Sequence, residues 1–141
     1  MIEAMQELPL KNILVKDIMT KSVISVDSAT TANDAAKKME KSEIGAMIVF
    51  DNNTPIGIIT DRDFAIKIAA HAYPIDTPVS RLMSSPLITI TSDSSSWDAI
   101  DLMNSRKIRK LLVVDDEQVV GIITITDLIN NFVMGVRNEL N

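Results

Sequence analysis

An internal repeat is the strongest constraint on how this chain can fold. When the sequence is shifted by 64 residues, residues 15–68 align with residues 79–132 without a gap, and 15 of the 54 pairs are identical. A unit of this length is short for a domain with its own complete hydrophobic core. The repeat therefore predicts two similar units that pack on each other with approximate two-fold symmetry and form two equivalent clefts.

Each copy shows the same order of predicted elements. A turn precedes a short strand, a helix with apolar residues at helical spacing follows, and two apolar strands then flank a tight polar turn before a last helix. We therefore predict an α/β (α+β) fold of two β-α-β-β-α repeats, packed through their sheets, with capping boxes at Thr31…Asp34 and Ser95…Asp98. The predicted strands are 23–26, 46–50 and 56–59, then 87–90, 111–114 and 119–123, and the last helices are 61–70 and 126–138.

The repeat also sets the predicted boundaries. Residues 1–14 are predicted to form an N-terminal arm, and residues 15–72 the first repeat. Residues 73–78, which contain two prolines, are predicted to be the linker. Residues 79–141 are predicted to form the second repeat with its C-terminal helix.

Composition excludes several classes of function. The chain has no cysteine, so it has no disulfide, thiolate metal site or thiol nucleophile. Its net charge of −5 opposes general binding to nucleic acid or anionic membranes. We expect a cytoplasmic protein, because no apolar run approaches the roughly 18 residues of a membrane span and the acidic N-terminus lacks signal-peptide features. We do not expect an enzyme, because no phosphate loop, dinucleotide fingerprint, catalytic triad or metal-hydrolase motif is present.

A Gly-x-x-Thr-x-x-Asp motif closes the second strand of the hairpin in each copy, as Gly57–Asp63 and Gly121–Asp127. The spacing has two interpretations. Thr-x-x-Asp is itself a capping box, and helix caps are far commoner than binding sites. Alternatively, the carboxylate accepts both hydroxyls of a ribose, while the threonine hydroxyl and the free helix amides suit a phosphate.

The densest basic run, Arg106–Lys110, also has two interpretations. Cations complement the negative end of a helix, which accounts for the first two residues of the run. Arg109 and Lys110 lie instead where a buried strand is predicted to begin, so they are candidate phosphate ligands if they face a cleft. The matching positions in the first copy are Gly45 and Ala46. Any phosphate clamp is therefore predicted to be asymmetric.

With these features together, the chain resembles a tandem pair of CBS domains, the module named after cystathionine β-synthase and also called a Bateman module. The resemblance covers about residues 15–135 and includes the β-α-β-β-α order. It implies a regulatory protein that binds adenosine compounds, such as AMP, ADP, ATP or S-adenosylmethionine, in clefts between the copies, without a catalytic cofactor. The residues that carry it are Asp17-Ile18-Met19-Thr20, Ile44-Gly45-Ala46, Val113-Val114-Asp115, GIITDRD and GIITITD.

The resemblance also implies roles for individual residues. Asp63 and Asp127 would hold ribose hydroxyls, and Thr60 and Thr124 would lie near phosphate. The remaining implied ligand-binding residues are Arg109 and Lys110 for phosphate, Thr20, Val23, Ile24, Ser84, Leu87 and Ile88 for the adenine pocket, and Ala46 and Arg62.

The leading hypothesis is a free-standing sensor of adenine nucleotides that forms a homodimer and signals to a separate, unidentified partner protein. The alternative is a protein-interaction module of the same dimeric shape without a nucleotide ligand. Trp97, in the first turn of a predicted helix, fits an interface, although stacking on a base is also open. The apolar residues of the last helix that are predicted to supply a dimer interface are Leu128, Ile129, Phe132, Val133 and Val136.

Overall fold

The computed structural model describes residues 13–84 and 87–140, with the side chains of the last helix described as far as Phe132. Most of the predicted N-terminal arm and the side chains of Val133 and Val136 lie outside the described residues. The elements in chain order are α1 (Val15–Ile18), β1 (Ser25–Asp27), α2 (Ala32–Ser42), β2 (Ala46–Asp51), β3 (Thr54–Thr60), α3 (Asp61–Asp63) continued by a π-helix (Phe64–Ala70), a 3-10 turn (Val79–Arg81), β4 (Thr89–Ile90), α4 (Ser96–Arg106), β5 (Lys110–Asp115), β6 (Gln118–Thr124) and α5 (Ile125–Leu140).

The chain divides into two compact units. The central unit is Val23–Leu87, and the terminal unit combines the described residues up to Ser22 with those from Ile88 onward. Each unit holds one three-stranded sheet, in the order β1-β2-β3 or β4-β5-β6. The first strand of each sheet pairs parallel with the second, which pairs antiparallel with the third. The predicted α/β class and the β-α-β-β-α order are confirmed.

The two predicted hairpins are also confirmed. Their turns, Asn52-Asn53 and Asp116-Glu117, have positive φ angles at both residues. Two-residue turns of this conformation match the right-handed twist of the flanking strands. Both sheets carry an irregularity at the same place, between Val49 and Phe50 and between Val113 and Val114. The two hairpins therefore repeat each other in turn conformation and in the position of the strand irregularity.

The segment that opens each repeat packs into the unit that holds the strands of the other repeat. Val79 and Leu82 follow the first repeat and are fully buried in the core of the central unit. Val15 precedes the strands of the first repeat and is fully buried in the core of the terminal unit. The compact units therefore do not coincide with the repeats read along the sequence.

The predicted capping boxes of α2 and α4 are only half formed. The side-chain oxygens of Thr31 and Ser95 accept the backbone N–H three residues further on, at 3.2 and 3.0 Å. The reciprocal half of the prediction is wrong, because neither the Asp34 nor the Asp98 carboxylate accepts a hydrogen bond from its cap backbone within the described structure. The N–H of the first helical residue bonds another segment in both cases, because Ala32 donates to the Thr77 carbonyl and Ser96 to the Ile13 carbonyl, each at 2.8 Å.

The helix that follows β3 has the predicted bounds, but most of it is a π-helix rather than an α-helix. After the single turn of α3 it continues as a π-helix, in which the N–H of His71 donates to the carbonyl of Ile66, five residues earlier, at 2.8 Å. The equivalent stretch of the terminal unit is part of the α-helix α5. The helical periodicity of the sequence gave no sign of this difference.

Candidate functional site

The motif of the central unit begins with a glycine because another segment crosses it closely. A Cβ atom on Gly57 would lie 2.5 Å from the sulfur of Met83 and 2.9 Å from the carbonyl oxygen of Ser84. Only a residue without a Cβ fits such an approach. The crossing segment is held there because the N–H of Ser84 donates to the carbonyl of Ile58 at 2.9 Å.

The terminal unit repeats this crossing with a segment from the start of the chain. A Cβ atom on Gly121 would lie 2.8 Å from both the Met19 sulfur and the Thr20 carbonyl oxygen. The N–H of Thr20 donates to the carbonyl of Ile122 at 2.8 Å. Thr20 therefore accompanies the motif of the second repeat, whereas Ser84 accompanies that of the first.

The threonine and aspartate of each motif form a reciprocal helix cap. In the central unit, Oδ2 of Asp63 accepts the N–H of Thr60 at 2.8 Å, and the N–H of Asp63 donates to the Thr60 hydroxyl at 3.4 Å. The corresponding distances between Asp127 and Thr124 are 3.0 and 3.1 Å. The capping interpretation is therefore confirmed in both copies.

The caps leave one oxygen of each carboxylate available. In the described part of the chain, the hydrogen bonds to the carboxylates of Asp63 and Asp127 all end on Oδ2. Both side chains are half-buried, as are those of Thr60 and Thr124. An ionised carboxylate offers about four acceptor positions over its two oxygens. Capping by Oδ2 is thus compatible with ligand binding by Oδ1.

The basic pair lies beside the motif of the terminal unit. Lys110 and Thr124 are directly opposed partners on β5 and β6. The carbonyl of Arg109 accepts the N–H of Ile125, the residue after the motif threonine, at 2.9 Å. Lys110 is half-buried and Arg109 is exposed. Two cations and the capped aspartate therefore share the open end of the β5–β6 hairpin.

The same place in the central unit carries a carboxylate instead. Ala46 is the cross-strand partner of Thr60, and the carbonyl of Gly45 accepts the N–H of Asp61 at 3.0 Å. A Cβ atom on Gly45 would lie 3.1 Å from Oδ2 of Asp61. Arg62 is exposed, and its backbone N–H donates to Oδ1 of Asp61 at 2.8 Å. The predicted residues Ala46 and Arg62 thus lie beside the central motif.

Asp61 is a residue that the sequence interpretation missed. The sequence predicts only that Asp61 begins a helix, although the repeat places Ile125 at the matching position. Comparison of the non-identical positions inside the two motifs, rather than of the identical ones, would have identified it.

The residues predicted to line the adenine pocket divide between the units. Thr20 and Ser84 are exposed, and the four apolar residues are half-buried. The carbonyl of Ile24 accepts the N–H of Ile48 at 3.1 Å, which holds this segment beside its sheet. Their part in an adenine pocket stays a prediction. Thr20 and Ile88 belong to the terminal unit, and Val23, Ile24, Ser84 and Leu87 to the central unit.

A cavity of about 500 Å³ opens on the terminal unit next to the basic pair. Trp97 and Ile100 from α4 and Ile125 from α5 form apolar parts of its wall, and Arg109 forms a charged part. Trp97 is half-buried. A volume of this size is within the range of small-molecule pockets.

Two kinds of feature are absent from residues 13–84 and 87–140. No group of three or more His, Cys, Asp or Glu side chains is placed to hold a metal ion. None of the helices in this part of the protein is both long and apolar enough to cross a membrane.

Comparison with known proteins identifies the family. The family model described as the CBS domain matches residues 15–70 and 79–133, and each match contains one of the two motifs. The chain belongs to the CBS-domain family. It carries a CBS-domain pair, which is a regulatory module.

Individual relatives agree with this assignment. The chain is 38% identical over 117 residues to the CBS domain-containing protein YhcV of Bacillus subtilis, a match that covers 83% of this chain and 84% of YhcV. The chain is also similar to a solved protein of Burkholderia ambifaria that is described as a signal-transduction protein with CBS domains. The two are 28% identical with a TM-score of 0.75, and the match covers 81% of this chain and 85% of that one. The hexameric CBS-CP12 protein of bloom-forming cyanobacteria is 26% identical, with a TM-score of 0.77, and the match covers 83% of this chain and 66% of that one.

Proposed function

We propose that this CBS-domain pair senses adenosine-containing nucleotides and signals their level to a partner protein. The observation that carries the proposal is the shared geometry of the two motifs. In each, Oδ2 of the aspartate caps a helix, while Oδ1 has no hydrogen-bond partner in the described structure. A half-buried carboxylate oxygen of this kind is a suitable acceptor for ribose hydroxyls.

The terminal unit offers the most complete set of groups for a nucleotide. Oδ1 of Asp127 would accept the ribose 2′- and 3′-hydroxyls, and the Thr124 hydroxyl would donate to a phosphate oxygen. Lys110, directly opposite Thr124 on the sheet, and Arg109 would supply positive charge to the phosphate. A 2′-deoxynucleotide would bind more weakly, because it lacks one of the two donors to the carboxylate.

Signalling requires that the nucleotide bind two arrangements of the protein with different affinity. We propose that the arrangement in question is that of a homodimer. The exposed Ile129 of α5 and the hexameric assembly of the related CBS-CP12 protein support self-association. Neither the nucleotide nor the partner is expected to be chemically altered, so the proposed role is non-catalytic.

Calorimetric titration with AMP, ADP, ATP and S-adenosylmethionine tests the proposal. The informative variants are Asp63→Asn and Asp127→Asn, because asparagine keeps one oxygen for the cap and replaces the other oxygen by an NH₂ group. We expect micromolar binding to the wild type and a loss of about tenfold or more at the altered motif, since a hydrogen bond to a charged group contributes about 1.5–3 kcal/mol.

Asp98→Asn provides a matched control. Asp98 holds the same position in the first turn of α4, but it takes no reciprocal part in the cap of Ser95. This variant should bind nucleotides as the wild type does. Failure of every adenosine compound to bind the wild type would contradict the proposed function.

A protein-interaction module without a nucleotide ligand is the second candidate. The cavity lined by Trp97 and Ile125 favours this second candidate. So does Ile129, which lies one turn further along α5 and is 55% exposed. It predicts that nucleotides leave the melting temperature unchanged and that Trp97→Ala weakens self-association in sedimentation experiments.

A further inference from the structure

We infer that the two motifs select ligands of opposite charge at the 5′ position of the nucleoside. The terminal unit takes a nucleoside 5′-phosphate, and the central unit takes a nucleoside whose 5′ group is neutral or positively charged. The inference rests on the proposed function, in which both motifs hold a ribose.

The backbones of the two motifs provide equivalent frames. In each unit, the residue after the motif threonine donates its N–H to the residue that precedes the second strand of the sheet. The bond joins Asp61 to Gly45 at 3.0 Å and Ile125 to Arg109 at 2.9 Å. Any difference in ligand preference that arises within these shared frames therefore comes from side chains.

In the central unit, these side chains carry net negative charge. The Asp61 carboxylate lies 3.1 Å from where a Cβ atom on Gly45 would be. It therefore lies beside the position that corresponds, in the repeat, to the Cβ atom of Arg109. Asp61, Arg62 and Asp63 include two carboxylates and one guanidinium, hence a net charge of −1. Arg62 can neutralise only one of the two carboxylates.

In the terminal unit, the corresponding side chains carry net positive charge. Arg109 and Lys110 supply two cations, and Asp127 is the only carboxylate of the motif, hence a net charge of +1. Ile125 and Thr126 replace the first carboxylate and the guanidinium of the central motif. A phosphate beside Thr124 therefore meets two cations.

Placement of a phosphate beside Thr60 would bring it close to the carboxylate of Asp61. Asp61 is exposed and Thr60 is half-buried, and like charges a few ångströms apart near a protein surface repel strongly enough to weaken binding by about tenfold. A 5′-hydroxyl group avoids this repulsion, and a sulfonium group would be attracted by the same carboxylate. Adenosine and S-adenosylmethionine are therefore suitable probes of the central motif, and AMP is the probe of the terminal motif.

Calorimetric titration of the full chain with these three compounds tests the inference. Asp127→Asn isolates the central motif, and it should bind adenosine and S-adenosylmethionine more tightly than AMP. Asp63→Asn isolates the terminal motif, and it should bind AMP more tightly than adenosine. Addition of Asp61→Asn to the Asp127→Asn chain should raise the AMP affinity about tenfold and leave the adenosine affinity unchanged.

The outcomes separate this inference from the proposed function. If AMP binds the Asp127→Asn chain at least as tightly as adenosine does, the inference is wrong but the proposed function stands. Binding of AMP to the wild type with no adenosine compound bound by the Asp127→Asn chain also overturns the inference. If the wild type binds no adenosine compound, the proposed function fails as well. Asp61 is exposed, so the single variant Asp61→Asn should fold and should strengthen the weaker AMP site of the wild type.

Discussion

The motifs at residues 57–63 and 121–127 share their backbone contacts, while the side chains beside them carry opposite charge. The identical glycine, threonine and aspartate each have a role in the backbone. Glycine allows a second segment to cross the strand, and threonine and aspartate cap the helix that follows. The differing residues, such as Asp61 and Ile125, change the charge without changing these contacts. The comparison teaches that the shared residues build the backbone contacts of the motif, and we propose that the unshared residues determine its ligand.

Substitution of the motif glycines should have the largest effect on stability. Gly57→Ala and Gly121→Ala would each place a Cβ atom within 2.9 Å of a backbone carbonyl oxygen and of a methionine sulfur. Overpacking of this kind costs about 1–3 kcal/mol. Urea unfolding should show losses of this size, similar in the two variants because the crossings are similar.

Gly45→Ala provides the control for these variants. Its nearest neighbour would be a side-chain atom, Oδ2 of Asp61, at 3.1 Å, and a shift of about a few tenths of an ångström relieves this contact. Within residues 13–84 and 87–140, no glycine has a positive φ. We expect a change within about 0.5 kcal/mol. Equal losses for Gly45→Ala and Gly57→Ala would contradict the explanation by crossing segments.

Substitution of Ser96 should have a smaller effect on stability, and it tests a difference between the two units. Its hydroxyl is fully buried and has no hydrogen-bond partner among the described residues, whereas the matching residue of the central unit is Ala32. Ser96→Ala should stabilise the protein by about 1 kcal/mol, because an unsatisfied buried polar group costs about 1–3 kcal/mol. Thermal unfolding measures the change, and the reverse substitution Ala32→Ser should be destabilising. A loss of stability in Ser96→Ala would indicate a partner for the hydroxyl.

The smallest expected effect concerns Asp115, the last residue of β5. The hydroxyl and then the backbone N–H of Ser92 hold the pKa of the Asp115 carboxyl below its ordinary value of 3.8. Because the folded pKa is lowered, this stabilisation is present above about pH 4 and is lost as the pH falls through the folded pKa. The difference in unfolding free energy between wild type and Asp115→Asn should be constant above about pH 5 and should shrink below about pH 4. A difference that does not change with pH would contradict the assignment.

Much of the fold was predictable from local sequence patterns. Apolar runs and polar turns located the strands and hairpins, because a strand pair and its turn are specified by neighbouring residues. The sequence did not predict which sheet the segments at Thr20 and Ser84 would join. The repeat gives the same identical residue pairs whichever sheet each segment joins. Only the structure shows that the segment at Thr20 crosses Gly121 and the segment at Ser84 crosses Gly57. The π-helix at Phe64–Ala70 left no signal in the apolar spacing either.

The candidate site was predictable to a similar extent. The spacing of Thr60 and Asp63 could not separate a cap from a binding site, and the structure shows that the cap uses only Oδ2 of the aspartate. The position of Lys110 opposite Thr124 depends on strand register, which the repeat alone leaves open. The charge of Asp61 was visible in the sequence, but its place beside Gly45 required three-dimensional contacts.

A crystal structure of the protein with AMP would test the central claim most directly. The account predicts AMP at the motif of the terminal unit, with its ribose hydroxyls within hydrogen-bonding distance of Oδ1 of Asp127 and its phosphate beside Arg109 and Lys110. Oδ2 of Asp127 should still accept the N–H of Thr124. AMP bound away from Asp127, or bound only at Asp63, would contradict it.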